Sequence, residues 1–481
     1  MKRLRFALLG AVAAALGVAP SAAAFTPSNA YFAKQWYLSQ DNAFGAWSTP
    51  PTDLAPVKVA VVDSGVDCAL PDFQGQIAAE KSFVGGDACT DSQGHGTIVA
   101  GEIAASLTSG GVVGLAYSSQ LVVAKVVAPD GTIPLKAEAA GIRWAVNQGA
   151  RVVNLSFGAV RDPLNAALDT YSKIEAQAVD YAVKKGAVVV AAVGNSDEAY
   201  ATPWPYASWP AALPHVIGVG ALTRTGNVPA FSDEDPTFVD IDAPGVGIFS
   251  TFPKALTMSQ TDCTAQGYTD CAVGDYRHPE GTSFSAPQVS AAAAVLFGVD
   301  PSLTSSQVTR ILERRADDVD PATGCPNCPV GRDRYSGWGR LDVARAVKFL
   351  TSGAPLPPSD RLEPNDNASQ APRLWGKDRS FDATLDYWDD PVDVYRVKLA
   401  RGQKLQARAE ARYPHGPLRL TLWQPGTKTV FRRHGRVAQT AHPGKKQRLS
   451  YRAQRAGWYF VELRITGHGG GRYALQLRKT R

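Results

Sequence analysis

Between residues 57 and 350 the chain alternates short, uninterrupted runs of apolar, β-branched residues with longer stretches of helical composition. Residues 57–62, 121–127, 152–155, 187–193 and 216–219 read as strands buried on both faces, because no polar residue alternates with the apolar ones. Residues 98–107, 134–147, 171–185 and 284–299 have the length and composition of helices. Strand and helix in alternation predict a mostly parallel sheet covered by helices on both faces, a three-layer α/β domain. The pattern changes after the Gly- and Pro-rich stretch at 353–358. Segments 392–399, 418–423, 458–465 and 473–477 are short, alternate in polarity and are separated by Gly and Pro, which predicts a small all-β sandwich. Thr466-Gly467-His468 and Gly469-Gly470-Gly471 read as a flexible hairpin loop between the last two. The predicted organisation is a leader (1–24), an α/β domain (25–350), a linker (351–359) and a basic β domain (360–481).

Charge divides at the same place. Residues 1–359 carry 25 Lys/Arg and 33 Asp/Glu, whereas residues 360–481 carry 25 Lys/Arg and 11 Asp/Glu. Within residues 400–481 there are 19 cations against only Glu410 and Glu462. Such a surface attracts anionic polymers, so residues 400–481 are a candidate contact for an anionic cell-surface polymer. No nucleic-acid-binding signature accompanies the charge, and no nucleic-acid partner is expected. Lys2, Arg3 and Arg5 precede an apolar run at 6–18 and then Ala22-Ala23-Ala24, the pattern of a secretory signal cut after Ala24. About 20 apolar residues are needed to span a bilayer; the leader is shorter, and 291–299 reads as part of a buried helix. The expectation is a secreted, extracellular protein without a membrane span once the signal is gone. Six cysteines fit an oxidising compartment, with Cys68/Cys89, Cys263/Cys271 and Cys325/Cys328 as local pairs. Six cysteines allow fifteen pairings, so the connectivity stays open.

Three segments of the first domain bear reactive side chains where an open α/β sheet presents its crevice. Val61-Val62-Asp63-Ser64-Gly65 puts a carboxylate at a strand end. Gly94-His95-Gly96-Thr97 puts an imidazole at a helix start. Gly281-Thr282-Ser283-Phe284-Ser285-Ala286-Pro287 puts a hydroxyl at the opening of an Ala-rich helix that is expected to begin at Ser283. A serine hydroxyl needs an adjacent base to act as a nucleophile, an imidazole serves as that base, and a carboxylate behind it fixes the tautomer. Val193-Gly194-Asn195 adds an amide at another strand end, suited to an oxyanion. Singly, Asp63 is an ordinary turn residue, His95 and Ser283 ordinary helix caps, and Asn195 a turn former. Their joint occurrence in this order points to acyl transfer.

D-S-G, G-H-G-T, A-V-G-N and G-T-S-F-S-A-P, in that order, resemble the subtilisin-like serine peptidases over about residues 30–350. Gln35-Trp36-Tyr37-Leu38 and the stretch from Gly114-Leu115-Ala116 to Ala124-Lys125-Val126 are similar to that family too. The resemblance implies a subtilisin-like fold and hydrolysis of polypeptides. It makes Asp63 the orienting acid, His95 the general base and acid, Ser283 the nucleophile and Asn195 an oxyanion donor. It implies that Ser156-Phe157-Gly158 and Ala192-Val193-Gly194 flank the first specificity pocket and pair with an extended substrate, with Ser208 near the pocket base. No carboxylate lies within these segments, although Asp197 and Glu198 follow soon after, and apolar side chains are expected before the scissile bond. The family's inhibitory folding segment finds no room between Phe25 and Gln35. Its calcium loop is reduced to Ser109-Gly110-Gly111; Asp72 could still ligate, but no cofactor and no metal is assigned. His215 and His278 read as structural, the latter in a polar loop.

The second domain, through Glu363-Pro364-Asn365-Asp366, Asp393-Val394-Tyr395-Arg396-Val397 and Gly457-Trp458-Tyr459-Phe460-Val461, resembles the bacterial pre-peptidase C-terminal domain. Two other readings remain open at this stage, a dedicated processing peptidase and a surface-binding protein with the peptidase fold as carrier. A Ser283→Ala variant separates the last from the first two, since binding survives it and proteolysis does not.

Overall fold

The computed structural model describes residues 25, 27–48, 54, 56–107, 110–196, 202–259, 268–271, 276–412, 416–432 and 434–481. The leader, Ser109, Asp197, Glu198 and Cys263 lie outside the described residues. Seven parallel strands form one sheet: β1 (Lys58–Asp63), β2 (Ile77–Ser82), β3 (Gln120–Lys125), β4 (Val152–Leu155), β5 (Val188–Ala192), β6 (Val216–Leu222) and β7 (Ile241–Pro244). Their order is β2-β3-β1-β4-β5-β6-β7.

Both faces of this sheet are dry, which is why its central strands show no polar alternation. Val59, Val61, Leu121, Val123, Val188 and Val190 belong to one core, and Ala60, Val62, Val122, Ala124, Val189 and Ala191 to the other. The first core is closed by α1 (Trp36–Gln40), α2 (Ala43–Ser48), α3 (His95–Ala104), α7 (Ala286–Val299), α8 (Ser305–Arg315) and α9 (Val343–Thr351). The second is closed by α4 (Leu135–Asn147) and α5 (Lys173–Lys184). A further short helix, α6, spans Lys254–Ser259. Residues Thr282–Val299 are apolar enough to cross a membrane by length and composition, but 83% of that stretch is buried within the protein, so it is a core helix.

The pattern missed β2 and β7. The first is an edge strand, I-A-A-E-K-S, half open to solvent, and the second is only four residues long and contains Asp242. The short strands β8 (Ser250–Thr251), β9 (Tyr268–Cys271) and β10 (Tyr276–Pro279) form a separate small sheet. His278 therefore lies in a strand rather than in a polar loop, with its ring edge-on to Phe249 at 4.7 Å. Cys68–Cys89 and Cys325–Cys328 are disulfides.

Beyond α9 the chain is all β. The strands are β11 (Arg373–Leu374), β12 (Asp378–Asp386), β13 (Val392–Leu399), β14 (Lys404–Ala411), β15 (Leu418–Trp423), β16 (Arg436–Gln439), β17 (Lys446–Arg452), β18 (Gly457–Ile465) and β19 (Gly470–Thr480). They make a five-stranded sheet, β11-β13-β18-β15-β16, and a four-stranded sheet, β12-β19-β14-β17. One core lies between them, built from Tyr395, Val397 and Leu463 on one side and Leu405, Leu449 and Leu475 on the other. β12, β14 and β17 escaped the pattern because many of their inward positions are small or polar (Ala407, Ala409, Gln447) while the outward ones are charged. Gly470 and Gly471 are paired with Asp386 and Leu385, so they open the last strand instead of extending the loop.

The sandwich is fastened to the α/β body by buried polar contacts. His215 Nε2 meets Asp366 at 3.1 Å and Glu363 at 3.3 Å. Arg314 reaches Asp386 at 3.3 Å, and the Arg332 guanidinium lies 4.0 Å from the Trp388 ring centroid. The chain between the two parts is held as well, since Gln307 donates to the Pro357 carbonyl at 2.9 Å and Arg310 to that of Pro358 at 3.2 Å.

Candidate active site

Asp63 ends β1 and His95 begins α3, and the two meet across a gap that only a glycine leaves open. A Cβ on Gly96 would lie 2.2 Å from the Gly65 carbonyl and 3.0 Å from Asp63 Cβ. His95 Nδ1 is 2.8 Å and 3.0 Å from the two oxygens of the buried Asp63 carboxylate. An ionised carboxylate only accepts, so Nδ1 carries the proton and Nε2 keeps its lone pair. The His95 side chain is 30% exposed, against 2% for Asp63; the imidazole therefore has an open edge.

The turn that presents this pair is fixed by Asp91, which the sequence reading did not single out. One Asp91 oxygen accepts from Ser64 Oγ (2.9 Å), Gln93 N (3.0 Å) and Gly94 N (2.9 Å), and the other from Thr97 N (3.0 Å) and Thr97 Oγ1 (2.7 Å). Ser64 Oγ in turn accepts from Gly96 N at 2.9 Å. One buried carboxylate thus satisfies free N–H groups at the start of α3 and ties them to the end of β1.

Ser283 sits in a 3₁₀ turn, Thr282–Phe284, and α7 starts only at Ala286 with Pro287 in its first turn. The helix therefore begins three residues later than expected, where a proline is tolerated. Phe284 brings the turn against His95, with ring centroids 5.2 Å apart. The Ser283 hydroxyl donates to the Ser156 carbonyl at 2.8 Å, and Ser156 Oγ donates to the Ser283 carbonyl at 2.7 Å. Behind them Asn154 Nδ2 donates to Ser156 Oγ at 2.9 Å, and Ser290 Oγ to Asn154 Oδ1 at 2.8 Å. Glu102 on α3 and Gln288 on α7 join the two helices at 3.0 Å, and burial pushes the Glu102 carboxyl well above its usual range.

Asn195 follows β5 closely. Its Oδ1 accepts from Thr282 N at 3.0 Å and from Thr282 Oγ1 at 3.1 Å, while Gly194 N donates to the same hydroxyl at 3.3 Å. A backbone N–H can only donate, so the amide orientation is determined and Nδ2 faces the other way. A Cβ on Gly281 would stand 3.4 Å from that nitrogen.

Ser156-Phe157-Gly158 and Ala192-Val193-Gly194 run past Ser208. A Cβ on Gly158 would meet Ser208 Cβ at 3.0 Å, and one on Gly194 would come within 2.4 Å of Ser208 Oγ and of Asp233 Oδ2. Val193 belongs to the second core, and Phe157 packs against it. The segment-by-segment reading overlooked Asp233, which reaches this place from the turn after β6. It is 2% exposed and accepts from Ser196 Oγ at 3.2 Å and Ser208 Oγ at 3.5 Å.

Groups with metal-ligand chemistry gather elsewhere. His215/Glu363/Asp366, Asp240/Glu313/Asp389 and Asp360/Glu363/Asp393 each bring their donor atoms within 4.8 Å; the first two join the α/β body to the sandwich, and the third belongs to the sandwich part alone. In the first, the imidazole already bridges both carboxylates. In the second, Arg332 stands 3.5 Å from Asp240. Asp72 accepts from Val112 N at 3.0 Å and from the Tyr276 hydroxyl at 3.1 Å.

A parallel seven-stranded sheet with an Asp–His pair where β1 ends and α3 begins defines a class of α/β protein. The subtilase family profile matches residues 55–339, and the chain belongs to that family of serine endopeptidases. Subtilisin DY from Bacillus licheniformis is 32% identical over 295 residues, 61% of this chain and 92% of that protein. Thermitase from Thermoactinomyces vulgaris is 31% identical over 329 residues, 68% of this chain and all (100%) of that protein. In structure, a protease from Pseudoalteromonas arctica superimposes with a TM-score of 0.54 at 24% identity, covering 67% of this chain and 99% of the other. A lanthipeptide protease superimposes with a TM-score of 0.53 at 22% identity, covering 66% and 95%. These two similarities concern the fold.

Proposed function

We propose that Asp63, His95 and Ser283 are the catalytic triad of a secreted endopeptidase that works through an acyl-enzyme. The contact of both Asp63 oxygens with His95 Nδ1, at 2.8 and 3.0 Å, carries this reading. Ser283 Oγ turns from the Ser156 carbonyl toward His95 Nε2 and attacks the scissile carbonyl carbon as its proton passes to the imidazole. The developing oxyanion is taken by the Asn195 amide and the backbone N–H of Ser283. The tetrahedral adduct collapses, His95 gives its proton to the leaving amine, and a water molecule activated by the same imidazole releases the acyl group. Asp63 stays ionised throughout and stabilises the imidazolium. The edges 156–158 and 192–194 hold the substrate extended.

The signal-like leader supports export with cleavage after Ala24, and the disulfides fit an extracellular destination. Residues 360–481 form a separate β-sandwich domain similar to pre-peptidase C-terminal domains, and its basic stretch 400–481 contacts an anionic polymer.

Fluorophosphonate labelling of the chain from Phe25 tests the triad. One adduct per molecule, read by intact mass and abolished by Ser283→Ala, is expected. A folded protein that stays unlabelled overturns the assignment.

A further inference from the structure

We infer that the outer face of β12-β19-β14-β17 is a binding surface for an acidic polysaccharide. This rests on the reading that residues 400–481 contact an anionic polymer, and it supplies the place and the polymer class. The two sheets of the sandwich treat their outer faces differently. That of the five-stranded sheet is covered, with Trp423, Val394 and Phe460 buried against Ala368, Ala371 and Val430. The other is open over β14, β17 and most of β19, and is buried at its Thr384–Asp386 corner on β12, where Arg314 reaches Asp386. Its inward positions, Leu405, Ala407, Ala409, Leu449, Tyr473, Leu475 and Leu477, fill the common core, so the intervening positions point outward.

The register lays those outward side chains in rows. Lys404 stands opposite Arg452, Gln406 opposite Ser450, and Arg408 opposite Arg448; on the other flank Gln406 faces Arg478 and Arg408 faces Gln476. Side chains directly opposite on neighbouring strands are about 5 Å apart, and like charges so placed destabilise a sheet. Two such pairs, Lys404/Arg452 and Arg408/Arg448, stand on adjoining strands with one neutral row between them. Acidic residues on this face stand at its margin and are already engaged: Glu410 with Lys446 at 2.8 Å, Asp378 with Arg478 at 3.6 Å and Asp382 with Arg412 at 2.8 Å. Arg408 and Arg448 have no ion pair among the described residues. Apart from the attraction of Arg448 for Glu410 at the margin, these cations repel one another, and an anionic ligand lying along the strands neutralises them.

The neutral members choose between ligands. Gln406, Ser450 and Gln476 offer amides and a hydroxyl between the guanidinium groups, suited to sugar hydroxyls flanking a carboxylate or sulfate that arginine can grip with two N–H groups. The aromatic side chains of these strands, such as Tyr473, belong to the inner core, so the face lacks the platform on which single-stranded bases stack. Its outward positions are charged or polar, with no large apolar side chain to enter a bilayer.

The intact chain from Phe25 carrying Ser283→Ala is titrated with polygalacturonate in about 50 mM salt. The same protein with Arg408→Ser and Arg448→Ser is expected to bind at least tenfold more weakly with an undiminished Tm. A Lys398→Ser, Lys428→Ser control removes the same charge away from this face and is expected to stay within twofold. Equal weakening by both pairs overturns the site in favour of diffuse charge. A fall in Tm on losing the two arginines overturns the claim that they serve a ligand. Equal affinity for duplex DNA or phosphatidylserine vesicles overturns the polymer class. Because binding is read on the Ser283→Ala protein, a failed peptidase assignment leaves this result standing, and failed binding leaves the triad untouched.

Discussion

Thr282 clasps the Asn195 carbonyl oxygen with its N–H and its hydroxyl, and that hydroxyl is itself held by Gly194 N. The amide nitrogen is thus aimed before any substrate arrives, which is what makes a donor effective in a transition state. Asn195→Ala is expected to lower kcat about 10²–10³-fold, the measured cost of such a donor in a subtilisin, with KM within about twofold. A parallel rise in KM with unchanged kcat, in steady-state peptide hydrolysis, contradicts the role. The proposed residues Asp63, His95, Asn195 and Ser283 stand out in the sequence because each lies in a short motif with its own chemistry. Asp91, Thr282 and Asp233 do not, since what they do depends on neighbours far apart in sequence: Asp91 on Ser64, and Asp233 on Ser208.

Among the elements, α4 and α5 carry a tension that no motif announces. Glu138 and Glu175, both buried, face each other beneath the two helices. Burial and the neighbouring carboxylate raise Glu138 to about 9, and burial raises Glu175 to about 7. Unfolded, both ionise near pH 4–5. Well below pH 4 both states are protonated and the pair costs nothing; as the pH climbs toward 9, the unfolded chain sheds protons that the folded one must keep, and stability is lost. Glu138→Gln should therefore raise Tm at pH 9 by at least about 2 °C more than at pH 5, a difference that roughly 2 kcal/mol makes in a chain of this size. Thermal unfolding at the two pH values decides it, and an equal gain at both refutes the raised carboxyls. Legibility at this scale followed burial. The apolar runs within β1, β4 and β5 stood out, whereas β2, β14 and β17 did not, because a strand whose outward positions are charged and whose inward ones are often small or polar shows little contrast.

On the scale of the whole molecule, charge is layered. Glu363, Asp366, Asp386 and Asp389 stand against the α/β body, while the cations of residues 400–481 include the outer rows of the four-stranded sheet. The inner layer has a titratable fastening. Burial alone would lower the His215 imidazole, but Asp366 and Glu363 outweigh it and hold it well above its ordinary value. Such a group stabilises the folded state fully below about pH 6.5, and the contribution disappears as the pH rises through its folded value. His215 has φ 62°, a conformation asparagine tolerates. His215→Asn is expected to cost most in Tm at pH 6 and progressively less above, as unfolding scans across that range would record; a cost independent of pH removes the ion pair from the account. The two-part organisation was visible in the sequence as a charge step and a change of period. The fastening was not, because His215 and Asp366 are brought together only by the folded chain.

The bond from the Ser283 hydroxyl to the Ser156 carbonyl has a consequence for the idle enzyme. That carbonyl belongs to an edge that an extended peptide would occupy, so a substrate's own backbone N–H competes for it. In its absence the nucleophile is parked, its proton committed to a neighbour that cannot serve as a base. Occupancy of the cleft and arming of the serine are then coupled, and a protease built this way reacts with small electrophiles that lack a peptide backbone, fluorophosphonates among them, more slowly than with the chain it is about to cut.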